Sequence, residues 1–158
     1  MITFKSFLAE ARMAPLYHGT DSVTAAKIIK GNTFLSSSDW LGDIPDGVSF
    51  TRNISVARRF ATKQDLGVVF EVNQNKLSHR YKIKPVNFFN GIGGSTREMD
   101  SSKNSGNNEY EERVFGQINN ADSYIEKVIA LAKPGKPYSG NVVLNHPKLW
   151  YNGKFVNK

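Results

Sequence analysis

The chain has no cysteine and no long apolar run, and each absence excludes a class of protein. Without cysteine among its 158 residues, neither a disulfide framework nor a thiolate metal site can form. No stretch approaches the roughly 20 apolar residues that a membrane-spanning helix requires. The length is that of one domain, and the hydrophobic fraction of 39% suffices for a core. These properties predict a globular domain that folds without covalent cross-links.

Acidic residues are scarce relative to basic ones. The 21 lysines and arginines outnumber the 14 aspartates and glutamates, which gives a formal net charge of +7. Such an excess favours a polyanionic partner, whether nucleic acid, an anionic cofactor or an acidic protein surface. The basic residues are scattered along the chain, so the charge alone does not decide among these partners.

The pattern of apolar residues predicts an α+β fold. Strands are predicted from β-branched and aromatic content, and helices from apolar spacing and capping residues. The predicted strands are 16–20, 47–51, 68–72, 109–115 and 128–132, and the predicted helices are 23–30 and 55–63. An Asn-rich turn is expected after the strand 68–72. Asp21 or Ser22 is expected to cap the first helix, with Gly31 at its end. The elements do not alternate regularly as in a parallel α/β sheet, which is why α+β is preferred.

Three further segments are interpreted from composition. Residues 1–11 are predicted to form an amphipathic arm, and Leu8-Ala9-Glu10-Ala11 resembles the Leu-x-Glu site of tailed-phage prohead proteases. Removal of the arm would leave a single domain over 12–158. Residues 32–46 are expected to form a loop. Residues 90–108, rich in Gly, Ser and Asn, are expected to form a substrate-facing loop.

The first candidate site is the histidine that ends a short apolar strand. His18 is followed by Gly19, which lets a ligand approach the main chain, and by Thr20, which adds a hydroxyl. This combination suits a ribose hydroxyl or a carboxamide better than a metal ion. The alternative is a half-buried histidine that only bonds its neighbours in the fold. His79 and His146 have no partner at metal-ligand spacing, so no metal site is predicted and both are expected on the surface.

The second candidate site is a run of carboxylates. Because side chains alternate along a strand, Glu109, Glu111 and Arg113 share one face, while Glu112 lies on the other. One interpretation is a charged edge strand with no further role. The other is that one glutamate stabilises positive charge developing on a sugar while another orients a nucleophile. The residues alone leave open whether Glu111 or Glu112 would be the catalytic carboxylate.

Three motifs in this order resemble the signature of the ADP-ribosyltransferase superfamily. They span residues 16 to about 116 and are Tyr17-His18-Gly19-Thr20, then Gly47-Val48-Ser49-Phe50-Thr51 followed by Ser55 and Ala57, then Glu109-x-Glu111. The first two resemble the diphtheria-toxin and poly-ADP-ribose polymerase branch, whereas the spacing of the third resembles the arginine-modifying branch.

The resemblance implies a split β-sandwich that binds NAD⁺ as co-substrate. His18 would bond the adenosine ribose, and the Gly19 main chain the nicotinamide amide. The Ser49–Thr51 strand would back the nicotinamide ring, and Glu111 would bond the nicotinamide ribose. Further contacts implied for the dinucleotide are Tyr17, Thr20, Phe50 and Arg52, with Arg52 near the pyrophosphate.

The branch within the superfamily stays open. Toxin-like members carry a tyrosine that stacks on nicotinamide where this chain has Ser49, and Phe50, Tyr17 or Tyr110 could replace it. Alternatively, Ser49-x-Thr51 stands for the Ser-Thr-Ser motif of the arginine-modifying branch, whose first motif is an arginine rather than His18.

The expected function is that of a mono-ADP-ribosyltransferase, a monomeric phage effector that modifies a host protein or nucleic acid. It would act in the virion, in the host bacterial cytoplasm or in both. One alternative is an RNA 2′-phosphotransferase, which the acidic third motif argues against. The others are a non-catalytic basic nucleic-acid-binding module and a packaged virion protein.

Overall fold

The computed structural model describes residues 14–37, 46–61, 66–85, 111–132, 144–151 and 154–155. The strands are Leu16–Asp21 (β1), Thr33–Phe34 (β2), Gly47–Thr51 (β3), Leu66–Val72 (β4), Ile83–Pro85 (β5), Glu111–Phe115 (β6), Ile118–Asn119 (β7), Ile125–Ala132 (β8), Leu149–Tyr151 (β9) and Lys154–Phe155 (β10). The helices are Ser22–Gly31 (α1), Ile54–Ala61 (α2) and Gln74–Ser78 (α3), with a 3₁₀ turn at Ala121–Ser123. The expected arm 1–11 with its cleavage site, the expected loop 90–108, and Glu109 and Tyr110 lie outside the described residues.

The strands form one large sheet and one small pair, so the α+β class is confirmed. The order in the large sheet is β10-β9-β8-β4-β1-β3-β6-β5, and β2 pairs separately with β7. Neighbouring strands are antiparallel, except that β8 and β9 run parallel. The first two predicted motif strands, β1 and β3, are therefore neighbours near the middle of the sheet, and β6 follows directly.

Helix α1 begins one residue before the predicted range and ends one residue after it, with Asp21 as its N-cap. The Asp21 side chain accepts hydrogen bonds from the Thr24 main chain at 2.9 Å and from its hydroxyl at 2.7 Å. At the other end, Gly31 is still helical, and Asn32 takes the left-handed conformation with φ of 49°. Asparagine tolerates this region better than most residues, so it replaces the glycine cap that was expected.

Three other local predictions were wrong in detail. The expected loop 32–46 contains β2, because Phe34 is buried and pairs with Ile118. The helix predicted at 55–63 begins at Ile54, and the Asn53 side chain accepts from the Ser55 main chain at 2.9 Å. An expected turn after β4 is helix α3, where Asn73 accepts from the main chain of Lys76.

The core consists of two apolar clusters on opposite faces of β4. Side chains alternate along the strand. Phe70 and the residues two positions before and after it pack with α1 in the large cluster, while Val69 packs with α2 in the small one. Helix α2 thus covers the face of the sheet away from α1. This position places α2 over the junction of β1 with its neighbours.

Helix α2 lies so close to the sheet that two strand positions admit only glycine. A Cβ on Gly19 of β1 would stand 2.0 Å from the Ala57 carbonyl oxygen, and one on Gly67 of β4 would stand 2.1 Å from the Ala61 carbonyl oxygen. Both distances are far below van der Waals contact. The two glycines therefore set the depth at which α2 packs.

Candidate functional site

The candidate site lies where β1 and β3 separate. In the described part of these strands their register contains the single pair Tyr17–Thr51, whereas β1 pairs with β4 along its whole length. A continued register would bring Ser49 opposite Gly19. The Ser49 carbonyl instead accepts a hydrogen bond from His18 Nδ1 at 2.8 Å. The two strands thus diverge after one pair, and the histidine side chain bridges the gap.

A cavity of ≈ 220 Å³ occupies this divergence. Its walls come from β1, β3, β6 and α2, and the described lining residues are Tyr17, His18, Gly19, Ser49, Phe50, Thr51, Val56, Ala57, Phe60 and Glu111. Pockets that bury a drug-sized ligand measure roughly 300–1,000 Å³. This cavity therefore has room for one ring-sized group, and the rest of a longer ligand would lie outside it.

His18 combines an aromatic setting with one defined hydrogen bond. Its ring centroid lies 5.5 Å from that of Phe34, 5.8 Å from Phe50 and 6.3 Å from Phe70. Burial lowers the pKa of His18 below its ordinary 6.5, and the bond to the Ser49 carbonyl opposes this. Since a carbonyl only accepts, Nδ1 carries the proton, and Nε2 of the neutral ring is an acceptor. The ring is thus prepared to accept a hydrogen bond from a ligand hydroxyl.

The lowered pKa of His18 predicts a loss of stability in mild acid. Between the folded-state pKa and 6.5, only the unfolded chain binds the proton, so the free energy of unfolding falls as the pH drops through that window. Above the window, His18 contributes no pH dependence. Urea unfolding should show a loss of stability between pH 7.5 and 5.5, at most about 1.4 kcal/mol for the one pH unit below 6.5. His18→Asn should lack this loss, since asparagine keeps a donor for Ser49 but does not titrate.

The exposed His79 provides the control for this experiment. The variant His79→Asn should keep the same acid loss as the wild type, and contributions from other groups cancel in both comparisons. An equal loss in wild type and His18→Asn would contradict the prediction.

Glu111 forms the acidic wall of the cavity and pairs with a buried arginine. Only 6% of Glu111 and 2% of Arg113 are exposed. The Arg113 Nη1 atom lies 3.5 Å from Glu111 Oε1 and donates to Ser49 Oγ at 3.0 Å. Strand β6 lies between β3 and β5, so the interpretation of a charged edge strand was wrong. The ion pair is an interior feature that adjoins the cavity.

Glu112 and Arg52 lie together, away from the cavity. Glu112 pairs with Phe50 in the register, on the face opposite Glu111. Its carboxylate accepts a hydrogen bond from Arg52 Nε, and Arg52 Nη1 donates to Gln74 Oε1 at 2.9 Å. Neither residue is among those that line the cavity. The structure therefore separates the two glutamates by face.

The remaining predicted residues divide as follows. Tyr17, His18, Gly19, Ser49, Phe50 and Thr51 line the cavity, and Thr20 does not. The backbone of α2 occupies the place where a Cβ on Gly19 would lie, so close packing of the helix requires the glycine. The apolar wall from Val56 and Phe60 was missed, although their spacing of four places them on one face of a helix.

The prediction of a surface position was wrong for His146. Its side chain is only 6% exposed, and its Nε2 atom lies 2.9 Å from Asp122 Oδ1. Its Nδ1 accepts a hydrogen bond from the Lys148 main chain at 3.1 Å. This side chain fixes the segment before β9 to the 3₁₀ turn, which is a structural role. His79 is exposed, as expected.

The described residues contain neither a cluster of metal-binding side chains nor a helix that could span a membrane. Within them no group of three or more His, Asp or Glu side chains could hold a metal ion. Of the helices described, none is long and apolar enough to cross a membrane.

The chain matches no protein-family model, no curated protein and no solved structure. The geometry of the cavity and the resemblance of its motifs are therefore the two grounds for inferring a function.

Proposed function

We propose that the protein is an NAD⁺-dependent mono-ADP-ribosyltransferase with a split β-sandwich fold. The observation that carries the proposal is the convergence of three separated motifs on one cavity. His18 and Gly19, Ser49 to Thr51, and Glu111 all line it. Because Glu111 lies 92 positions after Gly19 in the chain, their meeting at one small cavity is a property of the sheet order.

The cavity suits the nicotinamide end of NAD⁺. Its volume matches a single ring, and Val56, Phe50 and Phe60 supply apolar surface for the ring faces. The divergence of β1 from β3 leaves strand edges without a continued ladder between them. A carboxamide carries both a donor and an acceptor, so it can bond the main chain of such an edge.

His18 supports a hydroxyl-bearing ligand beside the ring. The neutral imidazole holds its Nδ1 proton on Ser49, so Nε2 can accept from a sugar hydroxyl. A ribose of the dinucleotide provides such a hydroxyl. A metal ion would also bind Nε2, but ligation needs further side chains that the described residues do not group together.

Glu111 would supply the electrostatic part of the reaction. When the bond between the ribose C1′ and the nicotinamide nitrogen breaks, nicotinamide leaves with the electron pair and positive charge develops on the ribose. A buried carboxylate beside that carbon stabilises the charge and can accept from a ribose hydroxyl. The acceptor nucleophile then bonds C1′ and loses its proton.

The proposed acceptor is a macromolecule, a host protein or nucleic acid modified by a phage effector. The net charge of +7 supports an acidic or polyanionic acceptor, since such a field raises the local concentration of anionic partners.

Nicotinamide release tests the proposal directly. The full chain should bind NAD⁺ and release nicotinamide from it, and labelled NAD⁺ added with bacterial lysate should label a protein or nucleic acid. Absence of NAD⁺ binding and of release, with and without lysate, in a folded protein would overturn the proposal. Salt-dependent nucleic-acid binding that Glu111→Gln leaves unchanged would then favour a binding module.

A further inference from the structure

Arg113 is buried, whereas the other arginines in the described part of the chain are exposed. It is 2% exposed, and its guanidinium donates two hydrogen bonds and forms one ion pair with residues from different parts of the chain. Nη1 donates to Ser49 Oγ on β3 and stands 3.5 Å from Glu111 Oε1 on β6, while Nη2 donates to the Ser37 carbonyl. Two of these three partners, Ser49 and Glu111, line the cavity, and Arg113 itself does not.

We infer that Arg113 is a positioning residue that holds the Glu111 carboxylate and the Ser49 hydroxyl in place from behind the cavity. This inference rests on the proposed function for the meaning of Glu111, and on the contacts above for the role of Arg113. Arginine suits the task because its planar fork directs several donors at fixed angles, which a lysine ammonium cannot do. Since one guanidinium contacts both the Glu111 carboxylate and the Ser49 hydroxyl, neither side chain can rotate without disturbing the other.

The energetics of the pair argue against stability as its only role. A buried ion pair often gives less stability than apolar residues of similar volume, because both charges lose their hydration. In addition, Arg113 Nε is buried and has no hydrogen-bond partner among the described residues. An unsatisfied buried donor costs free energy. A residue selected only to stabilise the sheet would not carry this cost.

The neighbouring backbone makes room for the arginine. A Cβ on Gly47 of β3 would stand 2.9 Å from Arg113 Nε and 2.5 Å from the Val114 carbonyl oxygen. Gly47 therefore admits the arginine stem between β3 and β6. The variant Gly47→Ala keeps the guanidinium but displaces it, which offers a second way to test the inference.

The first test does not depend on turnover. Melting temperatures of wild type, Arg113→Lys, Glu111→Gln and the double variant form a cycle. If the two side chains interact, Arg113→Lys should lower the melting temperature clearly in the wild-type background and by less than half as much beside Glu111→Gln. An equal loss in both backgrounds would overturn the inference, whatever the protein catalyses.

The second test separates positioning from simple support of the fold. Per folded molecule, Arg113→Lys and Gly47→Ala should lower kcat for nicotinamide release about 100-fold, because small misplacements of a reacting group have effects of that size. The KM for NAD⁺ should stay within about threefold, since ground-state binding is retained. An unchanged kcat in folded protein, with only the melting temperature lowered, would make Arg113 merely structural and overturn the inference.

A matched control removes an ion pair elsewhere. Lys76 lies on the surface, with Nζ 3.3 Å from Glu126 Oε1. Lys76→Met should leave kcat and KM unchanged. If the wild type neither binds NAD⁺ nor releases nicotinamide, with or without lysate, the proposed function fails. The melting-temperature cycle alone then decides whether Arg113 holds Glu111.

Discussion

The variant Glu111→Gln is expected to release nicotinamide about 10²- to 10³-fold more slowly than the wild type, the usual effect of losing one group that stabilises transition-state charge. The glutamine amide matches the carboxylate in size, so the shape of the cavity wall is kept. It carries no charge to stabilise a positive ribose. The loss should therefore fall on kcat, with the KM for NAD⁺ nearly unchanged. Initial rates of release, normalised to folded protein by circular dichroism, measure it.

Glu112→Gln is the matched control for this experiment. The two glutamates are adjacent, but Glu112 lies on the opposite face and its carboxylate bonds Arg52. Its replacement removes the same charge from the same strand at a place outside the cavity. Nearly full activity is expected. Equal losses in the two variants would show that net charge or stability, and not the position of Glu111, limits the reaction.

This contrast between the glutamates also shows what the sequence could predict. The alternation of a strand places Glu111 and Glu112 on opposite faces, and that much is visible in the residue order. Which face adjoins the cavity depends on the register with β3, where Thr51 is opposite Glu111. Register is a long-range property that local propensity does not contain. The resemblance of the motifs to a known family supplied the choice that periodicity could not.

Arg113 illustrates a second limit. The sequence placed it on the same face as Glu111, which indicated a neighbouring charge. Its burial depends on Gly47, on a strand more than sixty residues earlier, and on the Ser37 carbonyl, in a segment predicted to be a loop. An arginine is rarely buried, so composition alone favours a solvated one. Only the assembled sheet shows that this side chain lies behind the cavity.

Capping and short strands were the least predictable features. Asp21 was one of two candidates for the first cap, and the structure selects it. Asn32, Asn53 and Asn73 all act at helix ends, yet asparagines are equally common in turns. Strand β2 has only two residues, and its partner lies far along the chain. Such elements form because a distant partner buries Phe34, and local sequence gives little sign of them.

The variant Gly19→Ala should lower the melting temperature by about 6–12 °C, which corresponds to about 3 kcal/mol for a domain of this size. The added Cβ would stand 2.0 Å from the Ala57 carbonyl oxygen, an atom of the helix backbone that no rotamer change can move aside. Either α2 withdraws from β1 or the strand shifts. Both responses move Ala57 and Phe60, so nicotinamide release should fall along with stability.

Gly31→Ala distinguishes this clash from the general effect of replacing a glycine. Gly31 is the last residue of α1, and a Cβ there would meet no atom within 4 Å. Alanine restricts the unfolded chain more than glycine does, so Gly31→Ala should raise stability by about 0.5–1 kcal/mol. Thermal unfolding followed by circular dichroism should thus give shifts of opposite sign for the same substitution. A small or positive shift for Gly19→Ala would mean that α2 does not pack on β1 as closely as the 2.0 Å approach requires, and the shape of the cavity would have to be revised with it.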